Sequence, residues 1–508
     1  MRCILAIDQG SSATKVIVFR QDGTIAASAV REVSCLFPRP GIVEQDPQAL
    51  YGSVIEAVRK CLSAFETDGG SLSEIASCGI SNQRETFLLW DAAGTPLCRA
   101  VSWQCERSAD ICAEIRCGPL AQEVMERTGL LPVPYFSGTK LLWLLRNEPT
   151  VREAVSGGRA RFGTIDTWLL WRLTNGEAYA TDYTNASRTL LFDIDRLSWD
   201  AELRSAWDAS DLLLPACHPS VHSFGETDFE GALPRKIPID ALIGDSHAAA
   251  FGEGCVAPGM VKATLGTGCS LLMDTGEERR AARVGIVSTI NWSTRESVHY
   301  ALEGIIVSCG ATLSWMRDQF GFLDDGADAE RIATSVPDNG GVYVIPAFSG
   351  LGSPRWRSAI RGSIVGLSFA STRAHAVRAA LESIPYQIAE VLSTIARSGG
   401  VRPVELRVDG GLTVNRLVLQ ILADTVGIPV ISYGLREASA LGAAMLAGLG
   451  ARLYASLDAL PRLSELPRRY EPGPGAAAAK RRFEEWLRYV DHSAAAPGLE
   501  NPGERSRP

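Results

Sequence analysis

The feature that most constrains this fold is a strand–glycine turn–strand pattern, which occurs near the start of each half of the 508-residue chain. The first copy has an apolar strand at residues 3–7, a glycine-containing turn and a β-branched strand at residues 13–20. The second copy has a strand at 260–264, a turn at 265–268 and a strand at 270–273. The repetition favours two related domains, although the spacing alone leaves open a coincidence between two glycine turns.

The segments after the first turn predict an alternation of strands and helices. Residues 24–30 complete a three-stranded meander, and Asp46-Pro47 supplies an N-cap and a first-turn proline for a helix. Apolar residues recur along that helix at helical spacing, at Leu50, Val54, Val58, Cys61 and Phe65. Strands at 75–80 and 86–90 follow, so the pattern indicates an α/β fold rather than an all-helical or sandwich fold.

Length favours two large domains, because a chain of 508 residues is too long for one ordinary core. A stretch rich in small residues at 248–259 marks the expected boundary. We therefore expect an N-terminal domain at 1–250 and a C-terminal domain at 251–490. A helix is predicted at 476–492, and the chain is predicted to end in a disordered tail at 491–508.

Charge and hydropathy argue against several classes of function. The net charge of −8 gives no attraction to nucleic acid or to an anionic membrane surface. No apolar stretch approaches the roughly 20 residues that span a bilayer, and the first apolar run stops at Asp8, too early for an export signal. The 12 cysteines are scattered and form no CxxC pair, which favours small core residues in a reducing, cytoplasmic setting over disulfides or a zinc site.

Three glycine turns are candidates for phosphate binding, since the chain has no P-loop, no protein-kinase motif set and no dinucleotide fingerprint. The first turn combines exposed backbone N–H groups with Lys15, and Asp8 could hold magnesium directly or through its waters. The turn at 265–268 could face it across a cleft, and residues 408–411 (Val-Asp-Gly-Gly) could pass close to a nucleoside. Each turn alone is more often a simple hairpin, so the interpretation depends on their combination.

Longer motifs show that the chain resembles the FGGY carbohydrate kinases and, within them, most closely the glycerol kinases. These motifs lie at 81–86 (SNQRET), 102–105 (SWQC), 134–140 (PYFSGTK), 163–168 (GTIDTW) and 181–188 (TDYTNASR). Residues 135–147 and 362–382 fit two signatures of the family, except that Ala376 stands where a larger apolar residue is usual. The resemblance covers about residues 3–490. It implies two actin-like, ribonuclease H-like α/β domains with the active site in the cleft between them.

The resemblance implies an acceptor site for a polyol. The residues that it assigns to this site are Arg84, Glu85, Trp103, Tyr135, Asp245 and Ser246. Arg84 and Glu85 would hydrogen-bond hydroxyl groups, and Trp103 would form an apolar wall. Asp245 matches the family's catalytic base, which orients the hydroxyl and accepts its proton during in-line phosphoryl transfer. Taken singly, an Arg-Glu pair is more often a surface pair, and a lone Asp after an apolar strand is usually structural. Trp103 and Tyr135 are as readily explained by core packing, so the roles depend on the resemblance.

The resemblance also implies ATP as the phosphoryl donor, together with Mg²⁺. The residues expected on the nucleotide side are Ser11, Ser12, Ala13, Lys15, Thr267, Gly310, Ser314, Gly411 and Asn415, with Asp8 at the metal. Lys15 and the amides of its loop would offset the charge on the transferring phosphoryl group. Members of the family are often dimers or tetramers, so a homodimer or homotetramer is expected, without a nucleic-acid or membrane partner.

Two positions near the acceptor differ from typical glycerol kinases. Ser246 stands where glutamine is usual, and Ser270 stands where phenylalanine is usual. Loss of an aromatic wall removes an apolar contact worth roughly 1.5–3 kcal/mol when fully buried, and it opens space for further carbon and hydroxyl groups. The sequence therefore leaves two acceptors open: glycerol, or a four- or five-carbon polyol or ketose. Ala13 and Lys15 replace the more common serine and arginine, and the lysine keeps the charge but loses the bidentate fork.

Two other classes of protein are alternatives to a kinase. An actin-like regulator that binds nucleotide without catalysis is the remote alternative, but it would have no use for an acceptor set that includes Arg84, Trp103 and Asp245. A nicotinamide-dependent polyol dehydrogenase would need a dinucleotide fingerprint, which the sequence lacks. The sequence therefore predicts an ATP-dependent polyol kinase.

Overall fold

The computed structural model describes residues 2–281, 284–326, 328–357, 360–461 and 466–495. Within these ranges the chain forms two α/β halves, each built around one mixed sheet. None of the helices in these ranges combines the length and the apolar character that a bilayer span requires.

The elements of the N-terminal half come first in the chain. The strands are β1 (Cys3–Gln9), β2 (Ala13–Arg20), β3 (Ile25–Glu32), β4 (Glu44–Gln45), β5 (Ile75–Asn82), β6 (Phe87–Trp90), β7 (Ala100–Val101), β8 (Arg161–Thr164), β9 (Ala180–Asp182), β10 (Phe192–Asp193), β11 (Ser198–Trp199), β12 (Ala216–His218), β13 (Val221–Thr227) and β14 (Ile237–Gly244). The helices are α1 (Pro47–Thr67), α2 (Ala109–Arg116), α3 (Leu120–Thr128), α4 (Ser137–Asn147), α5 (Pro149–Ser156), α6 (Ile165–Leu173), α7 (Tyr183–Ala186), α8 (Ala201–Ala206) and α9 (Asp245–Gly252).

The elements of the C-terminal half follow. The strands are β15 (Met260–Leu265), β16 (Cys269–Gly276), β17 (Val287–Ser293), β18 (Val298–Ile306), β19 (Tyr343–Ile345), β20 (Ser363–Val365), β21 (Glu405–Asp409), β22 (Val430–Ser432) and β23 (Arg468–Tyr470). The helices are α10 (Ala311–Asp318), α11 (Asp328–Ala333), α12 (Arg373–Gly399), α13 (Arg416–Val426), α14 (Ala438–Gly450) and α15 (Ala476–Ala495). Short 3₁₀ turns occur at Leu72–Glu74, Gly411–Val414 and Leu457–Ala459.

The N-terminal sheet has the strand order β13-β14-β5-β1-β2-β3. β1, β2 and β3 form an antiparallel meander, whereas β1, β5 and β14 run parallel to one another. The turn between β1 and β2 is closed by Gly10 N, which donates to Ala13 O at 2.9 Å. The predicted meander is thus confirmed, and it forms one side of a mixed sheet.

The C-terminal sheet repeats this topology, with the order β17-β18-β16-β15-β21-β22-β23. β15, β16 and β18 are antiparallel neighbours, and β15, β21 and β22 run parallel. Five strands of this sheet therefore correspond in order and direction to β3-β2-β1-β5-β14 of the first. The repetition of a whole strand order, rather than of one glycine turn, supports two related domains over coincidence.

Both faces of the N-terminal sheet are covered, which explains why β1 is apolar throughout. Leu5 and Ile7 pack with α1 on one face, whereas Ile4 and Ala6 pack with α14 on the other. Successive side chains of a strand point to opposite faces, so a strand buried on both sides has no polar alternation. The predicted α1 is confirmed: Asp46 accepts hydrogen bonds from two backbone N–H groups of its first turn, a cap worth about 1 kcal/mol.

The two halves exchange helices. α14 belongs to the C-terminal half but packs beneath β1, β5 and β14 of the N-terminal sheet. α9 follows the last N-terminal strand and packs on α14 and on the C-terminal sheet, so the boundary expected at 250/251 falls inside α9. Glycines permit a very close approach of the two helices: a Cβ on Gly442 would lie 1.9 Å from Ala248 O, and one on Gly252 would lie 2.3 Å from Ala438 O.

The C-terminal helix extends beyond its predicted end. α15 continues to Ala495, so the expectation of a disordered tail is wrong for residues 491–495. The helix is anchored by Trp486, whose indole N–H donates to Val344 O at 2.9 Å, and by the fully buried Val490. Residues 496–508, the rest of the predicted tail, lie outside the described residues.

A methyl group at the α9–α14 crossing should destabilise the protein. For Gly442→Ala we expect a lower free energy of unfolding, by about 1–3 kcal/mol, because the new Cβ would meet backbone atoms that cannot move independently. Gly52→Ala is the matched control. Gly52 also lies inside a helix, its Cβ would meet nothing within 4 Å, and its replacement should stabilise by up to about 1 kcal/mol. Urea unfolding of both variants measures the difference, and equal midpoints would contradict the tight crossing.

Candidate active site

The carboxyl ends of three parallel strands meet at one edge of the N-terminal sheet. β1 reaches Asp8 opposite Ser81 of β5, and β14 ends at Gly244 immediately before Asp245. Arg84 follows β5 by two residues. Ligands of open α/β sheets bind at this edge. The fold therefore brings together three residues that the sequence predicted at one site: Asp8, Arg84 and Asp245.

Asp8 is half-buried and lies next to other carboxylates. Ser81 Oγ donates to Asp8 Oδ1 at 3.0 Å. Burial, and next the Asp245 carboxylate, raises the pKa of Asp8 to about 7. A cation at this position would relieve both effects, because each of them acts against the negative charge of Asp8.

Arg84 connects the predicted base to a second carboxylate. Its side chain is 3% exposed, its Nε lies 3.3 Å from Asp245 Oδ1, and its Nη1 donates to Glu303 Oε1 at 2.8 Å. Asp245 is 36% exposed at its side chain, so its carboxylate is accessible to solvent beside the buried arginine. Gly244 leaves room for the arginine, since a Cβ there would lie 2.7 Å from Arg84 Cγ. The guanidinium thereby fixes the direction of the Asp245 carboxylate.

Glu85 is buried and its backbone is strained. Its φ of 62° lies in the left-handed region, which costs a non-glycine residue about 1–3 kcal/mol. Arg188 Nε donates to Glu85 Oε1 at 2.6 Å, and Ser137 Oγ donates to Glu85 O at 2.7 Å. Burial raises the pKa of Glu85, although Arg188 and Arg84 oppose the shift. These contacts hold the strained residue next to Arg84.

Glu303 and Arg188 complete a buried network of charges. Arg188 Nη1 forms an ion pair with Glu303 Oε2, and both side chains are fully buried. Burial alone would raise the pKa of Glu303, but Arg188 and Arg84 reverse that effect and lower its pKa to about 2. The network therefore contains two arginines and two glutamates, Glu85 and Glu303, with Asp245 at its exposed end.

Trp103, which the resemblance assigns to an apolar wall, and Tyr135, which it assigns to another polar contact, lie side by side and form one aromatic wall. Their rings lie 5.4 Å apart, and both residues are half-buried. The buried Lys140 holds the two loops together, since its Nζ donates to Ser102 O at 3.0 Å, to Trp103 O at 3.4 Å and to Tyr135 O at 3.1 Å. Burial lowers the pKa of Lys140 from 10.5 to about 8.

The aromatic wall is hydrogen-bonded to the first glycine turn. Trp103 Nε1 donates to Ser11 Oγ at 2.8 Å. Gln83 Nε2 donates to Gln45 Oε1 at 2.9 Å and to Gln9 Oε1 at 3.0 Å, and its Oε1 accepts from Ser11 Oγ at 3.2 Å. The predicted acceptor and phosphate loops therefore form one connected unit.

The first glycine turn is the tip of the hairpin formed by β1 and β2. Ser12 is exposed there, and Ala13 begins β2. Lys15, which is expected to face phosphate, has a carboxylate partner: its Nζ forms a 2.8 Å ion pair with Glu437 Oε2. Glu437 is the N-cap residue of α14. The side chains of Lys15 and Glu437 are 34% and 26% exposed, so a phosphate could compete for the lysine.

Two predicted nucleotide-binding segments are joined by backbone hydrogen bonds. Gly310 N donates to Gly266 O at 2.8 Å, and Thr267 O accepts from Cys309 N at 2.9 Å and from Ala311 N at 3.1 Å. Thr267 is exposed at the tip of its turn. Ser314 lies one helical turn further along α10, where its N–H donates to Gly310 O at 3.2 Å.

The third glycine turn packs against the second. A Cβ on Gly410, which has φ +92°, would lie 2.6 Å from Leu265 O. Gly411 begins a 3₁₀ turn, and Asn415 ends it and caps α13 by accepting from Val418 N at 3.0 Å. The structure therefore gathers the predicted residues of the C-terminal half around the ends of β15 and β21, whose residues Thr264 and Asp409 are paired.

The donor atoms at Asp8 fit a magnesium ion. Its carboxylate provides the hard oxygen ligands that Mg²⁺ takes, in a position where its own charge is disfavoured. Within the described ranges, no group of three or more His, Cys, Asp and Glu side chains is arranged to hold a metal ion. One or two carboxylates together with substrate phosphates are the usual setting for Mg²⁺, so Asp8 is suited to a metal that arrives with a nucleotide.

Sequence reasoning missed several residues of this site. Glu303 and Glu437 were not singled out, and Arg188 and Lys140 were noted only as members of motifs. Glu303 had a visible signal: a lone glutamate in the otherwise apolar run Tyr-Ala-Leu-Glu-Gly-Ile-Ile at 300–306 must find a charged partner if the strand is buried. Glu437 had no comparable signal, because its loop is polar.

Removal of the Lys140 amine should loosen the aromatic wall of Trp103 and Tyr135. Lys140→Met leaves three carbonyl oxygens without their donor, and we expect a loss of about 1.5–3 kcal/mol in the free energy of unfolding. The exposed Lys480→Met is the matched control and should change little.

The stability difference should also depend on pH. Folded Lys140 loses its proton near pH 8, whereas an unfolded lysine keeps it to about 10.5. The unfolded state therefore binds more protons between these values, so the free energy of unfolding of the wild type should rise relative to Lys140→Met from pH 8 to pH 10. Urea unfolding over this range measures the difference, and a constant difference would contradict a buried, titrating lysine.

The chain is similar over nearly its whole length to known proteins of one family. The N-terminal domain of the FGGY family of carbohydrate kinases matches residues 3–252, and the C-terminal domain of the same family matches residues 261–451. The glycerol kinase of Symbiobacterium thermophilum is 44% identical over 491 residues, which are 96% of this chain and 98% of the relative. Glycerol kinase 2 of Thermotoga maritima is 42% identical over 97% of this chain and 99% of the relative.

Solved structures show the same architecture. Plasmodium falciparum glycerol kinase with ADP superposes with a TM-score of 0.91 at 32% identity, covering 98% of this chain and 99% of that chain. A xylulose kinase from Lactobacillus acidophilus has a TM-score of 0.88 at 21% identity, over 98% and 99% of the two chains, which shows the fold alone. The predicted two-domain, actin-like α/β fold is confirmed, and the chain belongs to the FGGY family of carbohydrate kinases.

Proposed function

We propose that this protein phosphorylates a primary hydroxyl of glycerol with ATP and gives glycerol 3-phosphate. The observation that carries the proposal is the solvent-accessible carboxylate of Asp245, which pairs with Arg84 at the strand edge that also carries Asp8. The names of the relatives support the choice of glycerol, and the ADP of the Plasmodium structure supports an adenine nucleotide.

Asp245 acts as the base in this mechanism. A primary alcohol is too weak an acid to ionise in advance, so the carboxylate orients the hydroxyl and accepts its proton as the new phosphorus–oxygen bond forms. The bond between the γ-phosphorus and the β,γ-bridging oxygen breaks at the same time, and ADP leaves. Arg84 and Glu85 hold the other hydroxyl groups, and the rings of Trp103 and Tyr135 cover the carbon chain.

The nucleotide side supplies positive charge and N–H donors. Lys15 exchanges Glu437 for a phosphate oxygen, and the amides of Ser11, Ser12 and Ala13 line the same turn. Asp8 would hold Mg²⁺, which supplies charge neutralisation at the phosphates when bound. Thr267, Gly310, Ser314, Gly411 and Asn415 are proposed to bind the nucleotide from the C-terminal half.

The arrangement of the two halves fits a water-excluding cleft, since the acceptor residues come from one half and most nucleotide residues from the other. Closure over both substrates would keep water from competing for the phosphoryl group. The proposal retains the cytoplasmic setting expected from the cysteine pattern, and the homodimeric or homotetrameric state that the family resemblance implies.

A second candidate acceptor is a four- or five-carbon polyol or ketose. The observation that favours it is the position of Ser270, whose Oγ donates to Glu303 Oε1 at 3.0 Å, the oxygen that also accepts from Arg84. A small hydroxyl side chain therefore stands beside the acceptor-binding arginine where an aromatic ring was expected. Ser246 is half-buried next to Asp245 and adds a second small polar group.

Replacement of the base should abolish turnover but not binding. For Asp245→Asn we expect kcat to fall about 10²–10⁴-fold, with both KM values within about threefold of wild type, in a coupled assay of ADP formation. The matched control is Asp240→Asn on the preceding strand, where the carboxylate accepts from Ser77 Oγ at 2.7 Å away from the cleft, and it should keep wild-type kcat. A near-normal rate for Asp245→Asn would remove that residue from its role.

A panel of acceptors separates the two candidates. Wild type is assayed with glycerol, erythritol, threitol, xylitol, ribitol, dihydroxyacetone, erythrulose and the pentuloses. Under the second candidate, Ser270→Phe should lower kcat/KM for the larger acceptors at least tenfold more than for glycerol, because the ring fills their space, whereas Ser270→Ala should not. The highest wild-type kcat/KM on glycerol would exclude the second candidate.

A further inference from the structure

Glu303 is a carboxylate that the proposed mechanism does not use. It lies on β18 of the C-terminal sheet, and its side chain is fully buried. A buried carboxylate is strongly unfavourable unless cations compensate for it. Its two cationic partners, Arg84 and Arg188, both come from the N-terminal half of the chain.

Through these partners Glu303 reaches both polar residues of the acceptor site. One of its oxygens, Oε1, accepts from Arg84 Nη1 at 2.8 Å, and Arg84 is itself proposed to bind the acceptor. The other oxygen, Oε2, pairs with Arg188, whose Nε donates to Glu85 Oε1 at 2.6 Å. The same carboxylate therefore holds Arg84 directly and Glu85 through one intermediate.

The charges around Glu303 show why the direction of the Arg84 guanidinium depends on it. Arg84 forms ion pairs with two carboxylates, those of Glu303 at 2.8 Å and Asp245 at 3.3 Å. Without Glu303, the guanidinium would be free to turn fully toward Asp245 and form a closer pair. Such a pair would occupy the carboxylate that must accept the hydroxyl proton. Glu303 holds the arginine between the two carboxylates.

We propose that Glu303 is the positioning residue of the acceptor site, a carboxylate of the C-terminal half that sets the places of Arg84 and Glu85. The inference rests on the proposed function, because it assigns those two residues to the acceptor. It adds that the acceptor site, although its contacts come from the N-terminal half, is complete only when β18 lies against that half. The depressed pKa of Glu303 agrees with a group that stays ionised throughout turnover.

Two substitutions test the role of Glu303. Glu303→Gln keeps the shape and removes the charge, and Glu303→Asp keeps the charge and withdraws it by one methylene group. For both we expect the acceptor KM to rise at least tenfold while the KM for ATP stays within twofold. Tryptophan fluorescence, with Trp103 at the aromatic wall, measures acceptor binding without turnover and should show the same loss.

Glu382→Asp is the matched control, because Glu382 is equally buried and pairs with Arg378 at 2.6 Å, in α12 rather than beside the acceptor. It should lower stability without a change in acceptor KM. The inference would be overturned if folded Glu303→Asp kept a wild-type acceptor KM, or if the KM values for acceptor and ATP rose equally. Failure of both Glu303 variants to fold would also overturn it, since Glu303 would then serve stability alone. A wild type that phosphorylates no acceptor of the panel would instead overturn the proposed function.

Discussion

The crossing of α9 and α14 is the contact on which the rest of the site depends. The two helices approach so closely that Gly442 and Gly252 have no room for a Cβ. Each helix also begins at a functional residue: α9 at Asp245, and α14 immediately after Glu437, the partner of Lys15. One backbone-to-backbone contact therefore sets the distance between the proposed base and the lysine of the phosphate loop.

The proposed acceptor site is organised by charge rather than by shape alone. Arginines and carboxylates alternate from Glu85 through Arg188, Glu303 and Arg84 to Asp245, and only the last is substantially exposed. Such a network fixes the orientation of its side chains, because a buried ionised group that loses its partner becomes strongly unfavourable. Asp245 is the exposed end of this network, and there a substrate hydroxyl could donate a hydrogen bond to the carboxylate.

Local patterns in the sequence were sufficient for the elements they describe. The apolar run of β1 and the Asp46-Pro47 start of α1 depend on neighbours along the chain, and both are confirmed. The exchange of α9 and α14 was not predicted, since it joins residues nearly 200 positions apart and small residues give no directional signal. The Lys15–Glu437 pair and the role of Glu303 were missed for the same reason: the partners are distant in sequence, and the charge of a side chain does not say which opposite charge it will meet.

The helix exchange also has a consequence for the order in which the chain can fold. The face of the N-terminal sheet formed by Ile4, Ala6, Ala241 and Ile243 is covered by residues of α14, which are synthesised some 200 positions after that sheet is complete. Until then, an apolar face lies open to solvent during translation, and this state favours aggregation or chaperone capture. The two halves are thus separable as sequence families but not as folding units: a fragment that ends before α14 lacks the helix that closes its own core.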